Sequence, residues 1–514
     1  MMAVQLPDAL PRLGELLADL PVDGVPPDVR ISGLSLDSRT LESGALFLAC
    51  PGASGHGLDF AGQALARGVA AIACAPGGRW SRERIATVSR SFECPLVIVD
   101  DLAAHASLIA GRFYRHPSRT LHLVGFTGTN GKTSCSLFLA RAMAAAHQRC
   151  GVIGTLGSGF PGDLRTTTHT TPDAVDVQAR LAQLGGFGAT MVAMEVSSHA
   201  LDQGRVSAVR FDTAVLTNLS RDHLDYHVDM AAYAEAKQRL FRQPELRCAV
   251  LNFDDPFGRQ LAEAVPTSVH PVLYASESPP EVMAAASAAW VSATRVEADP
   301  SGLRLEIKSS WGDGQLESRL LGRFNASNLM AVLAVLLEGG MPVSEALECL
   351  SGLSAVPGRM EVFGGPGQPT VVVDYAHTPD ALEQTIRSLR EHCRGHLICV
   401  FGCGGDRDRG KRRLMGAVAQ AGSDSVILTD DNPRTENGDR IVADIMRGMR
   451  DRDTVNVERN RARAIEQAVS RARVGDLVLV AGKGHETTQQ IGDLTLPFSD
   501  RAHVARLLAG GASE

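Results

Sequence analysis

Short apolar runs punctuated by turn residues fill the first hundred positions: ALFLAC, AAIACA and PLVIVD, separated by polar stretches such as PGASGHG. Runs this short, bounded by glycine and proline, predict β-strands rather than helices. From residue 121 the runs are LHLVGF, ATMVAMEV (189–196), FDTAVLTNL (211–219) and CAVLNFD (248–254). Helix-compatible stretches lie between them; TSCSLFLARAMAAA has its apolar positions at helical spacing. Strands alternating with helices predict parallel sheets covered on both faces. The pattern restarts after SAVPGRME (354–361) with TVVVDYAHTP, HLICVFGCGGDRD, DSVILTDDNPR and DLVLVAGKGHE, each apolar run ending in a polar loop. Ligands of open α/β sheets bind at such carboxyl ends, so the four loops form one expected wall of a site. HPSRT (116–120) predicts a linker, because a residue before proline is pushed out of helix.

At 514 residues the chain is too long for a single core. The two breaks divide it into expected domains at 1–118, 119–355 and 356–514. Composition is that of an ordinary globular protein, 44% apolar and 21% charged, and the formal charge of −7 argues against a nucleic-acid binder. No apolar run has the length of a membrane helix, and MMAVQLPDALPRLGELLADL lacks a signal-peptide core. Ten cysteines occur without a C-x-x-C pair, and Cys74, Cys94, Cys248 and Cys399 sit in or beside apolar runs. They are expected as reduced core residues of a cytosolic protein rather than as disulfides or zinc ligands.

Candidate chemistry begins with VGFTGTNGKTS (124–134). Gly128, Gly131, Lys132 and Thr133 match the G-K-[ST] end of a phosphate loop between a strand and a helix, although Phe126 stands where the strict motif has its first glycine. A structural turn is the bland alternative. Glu195, in MEVSSHALDQGR (194–205), ends a strand and is either a capping acid or a ligand for Mg²⁺, which prefers hard oxygen donors. TNLSRDHLDYH (217–227) holds Asp222, His223, Asp225 and His227; two histidines four apart suggest zinc, but spacing supplies no third ligand. Lys237, in YAEAKQRLF, is by pattern a helical, solvated lysine near the surface. Asn325, Asn328 and Arg359 suit a base edge and a phosphate, or simply capping and solvation. Arg434 in DDNPR, and Arg407 and Arg409 in GGDRDRGKRR, either face solvent or fork onto a carboxylate.

Taken together, GTNGKT, MEVSSHAL, NLSRDHLDYH, YAEAK, GRFNASN, PGRME and DYAHTPD resemble, in order and over essentially the whole chain, the Mur ligases of peptidoglycan synthesis. LSLDSR (34–39) and HTTPD (169–173) are similar to the members that add the third peptide residue, and DNPR resembles their meso-diaminopimelate recognition motif. His169 stands where some relatives have asparagine.

The resemblance implies three α/β domains: a smaller N-terminal UDP-binding one, a central P-loop parallel-sheet ATPase domain, and a C-terminal Rossmann-like domain that binds the amino acid. It implies a cytoplasmic, monomeric, ATP-dependent ligase joining meso-diaminopimelate to UDP-MurNAc-L-Ala-D-Glu, with Mg²⁺ as cofactor and no nucleic-acid partner or membrane span. The third domain would close onto the second during turnover. Gly128, Thr129, Asn130, Gly131, Lys132, Thr133 and Ser134 would hold ATP phosphates, and Asn325, Arg359, Asp374 and His377 would bracket the nucleotide. Thr133, Glu195, His223 and Lys237 as its carbamate would surround the metal, with Lys132, Glu195, His223 and Lys237 the catalytic set. Leu36, Ser38, Thr170, Thr171, Ser197, Gln203 and Arg205 would contact the UDP substrate. Arg407, Asp431, Asn432, Pro433, Arg434, Gly482 and Glu486 would receive diaminopimelate. Lysine-adding and folate-polyglutamating relatives are the nearest alternatives; a slow ATPase regulator that forms no amide is an alternative of another class.

Overall fold

The computed structural model describes residues 10–52, 55–167, 169–224, 226–284, 288–365 and 367–510. The chain forms two compact units, one running to Tyr274 and the other taking in the chain from Trp290 onward with a short stretch from Ala275.

The first unit opens with a four-stranded parallel sheet, β1 (Gly33–Ser35), β2 (Ala45–Ala49), β3 (Ala71–Cys74) and β4 (Leu96–Ile98), paired in chain order. All of β2 and β3 is buried, as continuous apolar runs require when both sheet faces are covered. His116 adopts a left-handed conformation (φ 51°) and Pro117–Arg119 form a single 3₁₀ turn, so the chain leaves helix where the proline dictates.

Next come β5 (His122–Thr127), β6 (Cys150–Gly154), β7 (Gly157–Phe160), β8 (Asp163–Arg165), β9 (Met191–Glu195), β10 (Thr213–Leu216), β11 (Cys248–Asn252) and β12 (His270–Ala275). They pair in the order β12-β11-β10-β5-β9-β6-β7-β8, parallel from β12 to β6 and antiparallel beyond. β5 lies between β9 and β10, which continue the sheet in opposite directions. That is a topological switch point, where the carboxyl ends of the strands open a crevice. The helix Lys132–Ala145 leaves β5 there and is buried along most of its length.

The second unit starts with an antiparallel meander, β13 (Ala289–Asp299), β14 (Gly302–Ser309) and β15 (Gly314–Ser318), and the buried helix Arg323–Glu338. A further sheet follows: β16 (Glu361–Phe363), β17 (Thr370–Asp374), β18 (Leu397–Phe401), β19 (Ser425–Leu428), β20 (Asn456–Val457) and β21 (Leu477–Ala481). Its order is β16-β17-β21-β18-β19-β20, parallel except for β16. A hairpin, β22 (Thr488–Ile491) and β23 (Leu494–Pro497), and the helix Asp500–Gly510 follow. The fold is thus α/β, built on three parallel-strand layers. Among the described residues no helix is long and apolar enough to cross a membrane.

All ten cysteines are free thiols. Cys74, Cys248 and Cys399 are buried and Cys94 is half-buried; desolvation pushes the thiols of Cys74 and Cys399 up to about 12. Such thiols hold their protons at neutral pH and are poor nucleophiles.

Candidate functional site

The loop after β5 is fastened before any ligand arrives. Gly128 has φ 146° and Gly131 φ 86°, both open to glycine and strained for other residues. A Cβ at Gly128 would lie 1.9 Å from Thr217 Oγ1, so the position also has no room for a side chain. Thr129 N donates to Asn218 O (2.9 Å), Asn130 N to Asn218 Oδ1 (3.0 Å), and Thr217 Oγ1 to Asn130 O (2.6 Å), tying the loop to the end of β10. Phe126 is fully buried in β5. The strand supplies its side chain to the core, so the curled segment begins only at Gly128. Should the loop hold ATP phosphates, as the resemblance implies, Gly128→Ala should weaken ATP binding about tenfold or more by calorimetry, through backbone strain and the clash with Thr217; unchanged affinity would remove Gly128 from the loop's working geometry.

Two lysines converge on one carbonyl. Lys132 Nζ donates to Gly128 O (2.7 Å) and Thr129 O (3.0 Å), and Lys237 Nζ donates to the same Gly128 O at 2.9 Å. Lys237 is helical, in Met230–Gln238, but only 1% exposed, which corrects the solvated position its sequence pattern suggests. The Tyr233 ring of its own helix lies 4.4 Å from Nζ, and the Gly128 loop, distant in sequence, meets the amine itself. Burial, then the nearby Lys132 charge, pushes its pKa well below the usual lysine value, outweighing the opposing pull of Asp222.

Glu195, 1% exposed at the end of β9, faces the other side of the loop. Its Oε2 accepts from Thr133 Oγ1 (2.9 Å) and Thr155 Oγ1 (3.1 Å), and its Oε1 from Thr155 N (2.8 Å). Among the described residues no cationic side chain pairs with it. His223 sits in a left-handed turn (φ 54°), 3.6 Å from Asp222, and the structure shows no bond from it to Thr133 or Glu195. Its ring instead neighbours His199 and Tyr233. His227 is buried against Ser198 Oγ (2.9 Å), and Asp225 lies outside the described residues. Among the described residues no group of three His, Cys, Asp or Glu side chains is placed to hold a metal ion.

A polar row continues from Glu195. Thr171 Oγ1 donates to Glu195 O (2.8 Å) and accepts from Ser197 N (3.0 Å); Arg205 Nη1 donates to Thr171 O (2.7 Å) and its Nη2 to Gln203 Oε1 (2.6 Å). Thr170 reaches Thr155 (3.0 Å). The fold therefore brings Thr170, Thr171, Ser197, Gln203 and Arg205 together. Leu36 and Ser38 follow β1 in the N-terminal sheet, where Ser38 Oγ donates to Gln63 Oε1 (2.7 Å), and no bond joins them to that row.

In the second unit, Asn328 Nδ2 donates to Asn325 Oδ1 (2.9 Å), and Asn325 Nδ2 to Leu321 O (2.8 Å). Asp374 accepts from Met360 N (2.8 Å) and Ala376 N (2.9 Å), fastening the segment that carries Arg359. The Arg359 guanidinium lies over Tyr375 (4.6 Å), and the rings of His377 (4.6 Å) and His485 (5.1 Å) flank the same tyrosine. Burial and the Arg359 charge pull His485 down to about 4.

The loops after β18, β19 and β21 make a separate cluster. Arg434, left-handed at φ 51°, donates from Nη1 to Gly405 O (2.8 Å). A Cβ at Gly404 would lie 2.9 Å from Arg434 Nη1 and 3.7 Å from Arg407 Cγ, so this glycine lets the two arginines approach. Arg407 is exposed, whereas Arg409 turns to Glu436 (3.4 Å). Asn432 Nδ2 donates to Glu486 Oε2 (2.9 Å). Asp431 is buried; desolvation raises its carboxyl, and a Cβ at Gly482 would come within 2.6 Å of it.

Residues 126–336 match the Mur ligase middle domain, 358–484 the Mur ligase glutamate ligase domain, and 30–106 the Mur ligase family catalytic domain. The chain belongs to the Mur ligase family. It is an ATP-dependent, amide-forming ligase of that family. It is 51% identical, over 94% of its length and 95% of the relative's, to a UDP-N-acetylmuramoyl-L-alanyl-D-glutamate–2,6-diaminopimelate ligase of Alkalilimnicola ehrlichii. A ligase of the same name from Coxiella burnetii is 47% identical over 94% of this chain and 96% of that one. A solved structure of a ligase with this name superposes with a TM-score of 0.68 at 34% identity, covering 98% of this chain and all of the other. The Thermotoga maritima MurF structure in complex with ADP shares the fold at 18% identity, with a TM-score of 0.60 over 93% of this chain and 96% of that one.

Some residues bonded to the expected site residues carry little sequence signal. Thr155 makes two bonds to Glu195, yet IGTLGSG belongs to no motif. Lys483, in GKGHE, is 0% exposed and bonded to Asn432 and Glu486; only a charged residue directly after an apolar strand hinted at it.

Proposed function

We infer that this Mur ligase joins meso-diaminopimelate to UDP-N-acetylmuramoyl-L-alanyl-D-glutamate through an acyl phosphate, in the cytoplasmic stage of peptidoglycan precursor synthesis. The observation that carries the amino-acid assignment is the cluster of Arg407, Arg434, Asn432 and Glu486, present in a chain about half identical to ligases named for diaminopimelate. Arg434 spends one guanidinium nitrogen on Gly405 O, leaving the rest of its fork for a carboxylate. Glu486 suits the ammonium beside it.

A carboxylate resists amines because its leaving group would be oxide. Attack of the D-glutamate side-chain carboxylate on the γ-phosphorus of ATP expels ADP and makes an acyl phosphate. The diaminopimelate amine, having lost its ammonium proton, then attacks the acyl carbon; the C–O bond to phosphate breaks, phosphate departs with a second proton from the nitrogen, and an amide remains. The protein's part is positioning and charge neutralisation. Lys132 and the main-chain N–H groups at the start of the Lys132–Ala145 helix would face the phosphates, and Arg205, Gln203 and Ser197 would hold the acceptor carboxylate's end of the nucleotide substrate. Asn325, Arg359, Asp374 and His377 belong to the nucleotide's side of the reaction.

Buried Glu195, with hydroxyl partners and no cationic side chain, fits a hard divalent ion, which typically takes one or two carboxylates and completes its shell with phosphate oxygens. Thr133 and Glu195, with carbamylated Lys237 and His223, would hold Mg²⁺, which when bound neutralises charge on the transferring phosphoryl oxygens.

The deciding experiment is mass spectrometry of the product from the UDP-dipeptide, ATP, Mg²⁺ and meso-diaminopimelate, alongside ADP release with lysine or glutamate instead. A preference for lysine or glutamate, or phosphate release that ignores the amino acid, sinks the reading. Arg434→Ala should raise KM for diaminopimelate about tenfold or more and narrow its advantage over lysine, which lacks the distal carboxylate. Unchanged selectivity would take Arg434 out of the pocket.

A further inference from the structure

Lys483 is buried completely at the carboxyl end of β21, yet it does not neutralise a remote charge. Its Nζ donates to Asn432 Oδ1 (3.0 Å) and Glu486 Oε2 (2.7 Å). Asn432 Oδ1 also accepts from Gln490 N (2.9 Å) in the β22–β23 hairpin, while Asn432 Nδ2 donates to Glu486 Oε2 (2.9 Å). A terminal amide can flip, exchanging its acceptor for its donors. Here two donors converge on one end and a carboxylate meets the other, so a single orientation satisfies the group. Glu486 Oε2 is consumed by two bonds, and Oε1 makes none of them.

We propose that Lys483 is a positioning residue for the amino-acid substrate: it locks Asn432 and turns Glu486 so that Oε1 meets the substrate's ammonium group. The proposal deepens the diaminopimelate reading and rests on it. Partial burial pushes the Glu486 carboxyl up, but Lys483 and Asn432 outweigh it and hold the group below its usual range, ready to receive a cation. The hairpin belongs to the same device. Gln489 Nε2 donates to Asp431 O (2.8 Å), and the Arg434 backbone pairs with it through Arg434 N to Gln490 O (3.1 Å) and Gly492 N to Arg434 O (2.7 Å). Lys483 and the hairpin thus fix both ends of the turn that carries Asn432 and Arg434.

Steady-state kinetics of Lys483→Met separate this role from a merely structural one. KM for diaminopimelate should rise about tenfold or more, with KM for ATP and the UDP-dipeptide within about twofold and kcat little changed. Lys483→Gln, neutral but still a donor, is a second variant with the same expected split, should the methionine variant not fold. Combining Lys483→Met with Glu486→Gln should cost clearly less than the sum of the two, because both act on the Glu486 contact. An unchanged diaminopimelate KM in a folded variant, equal rises in all three KM values, or additive effects would overturn the role. A wild-type enzyme inert toward diaminopimelate would instead overturn the functional reading, so the two failures are distinguishable.

Discussion

Lys132→Met protein will fold, melt near the wild-type temperature and ligate its substrates roughly a thousandfold more slowly. Methionine follows the lysine stem to within one atom and removes the charge together with its N–H donors. In the structure that charge hangs over the loop, bound to Gly128 O and Thr129 O at 2.7 and 3.0 Å, where the transferred phosphoryl group would gain negative charge. The surrounding main chain keeps its shape through Thr217, Asn218 and Thr129, none of which needs Lys132. Binding of ATP should weaken less than turnover falls, because the charge matters most in the transition state. Amino-acid-dependent ADP release, with a thermal melt as control, measures both. Normal speed in a folded variant would remove the electrostatic basis of the proposed mechanism.

Lys237→Met separates stability from activity. A buried ammonium beside Lys132 is unfavourable, so burial and the Lys132 charge hold the folded-state pKa of Lys237 well below that of the unfolded chain. The unfolded state therefore binds the extra proton as pH falls below 10.5, and the resulting loss of stability grows until pH reaches the depressed folded value. Lys237→Met removes this cost. It should raise the melting temperature at neutral pH, and the gain should vanish above the unfolded lysine's pKa. Activity should fall about a hundredfold or more. A neutral amine is also the form that attacks CO₂: nitrogen bonds to carbon, a proton leaves, and a carbamate oxygen ligand replaces a potential cation. Growth or incubation with ¹³C-bicarbonate should label a carbamate carbon in the wild type and none in the variant. A variant that is both destabilised and fully active would contradict the lowered pKa and the ligand role together.

The strands that build the site's walls were open to prediction because local composition decides them. VVVD, LICVF, SVIL and LVLVA are continuous apolar runs, and a strand with both faces covered needs little else. The antiparallel strands β13–β15 are less visible. Leu303, Leu305 and Ile307 alternate with exposed Arg304, Glu306 and Lys308, so no unbroken run marks them. Gly128 and Gly131 were readable for another reason: a lysine-bearing turn between strand and helix restricts the backbone on its own.

Sequence by itself thus determined the strands with both faces buried, the glycine-bearing turn and the order of the family's motifs, all properties of residues near one another in the chain. Tertiary structure alone decided which charges lose water. Lys237 looks solvated within its helix and Lys483 within its loop, yet strands and loops distant in sequence enclose both. Desolvation depends on everything that surrounds an atom, and a linear pattern records only the neighbours along the chain.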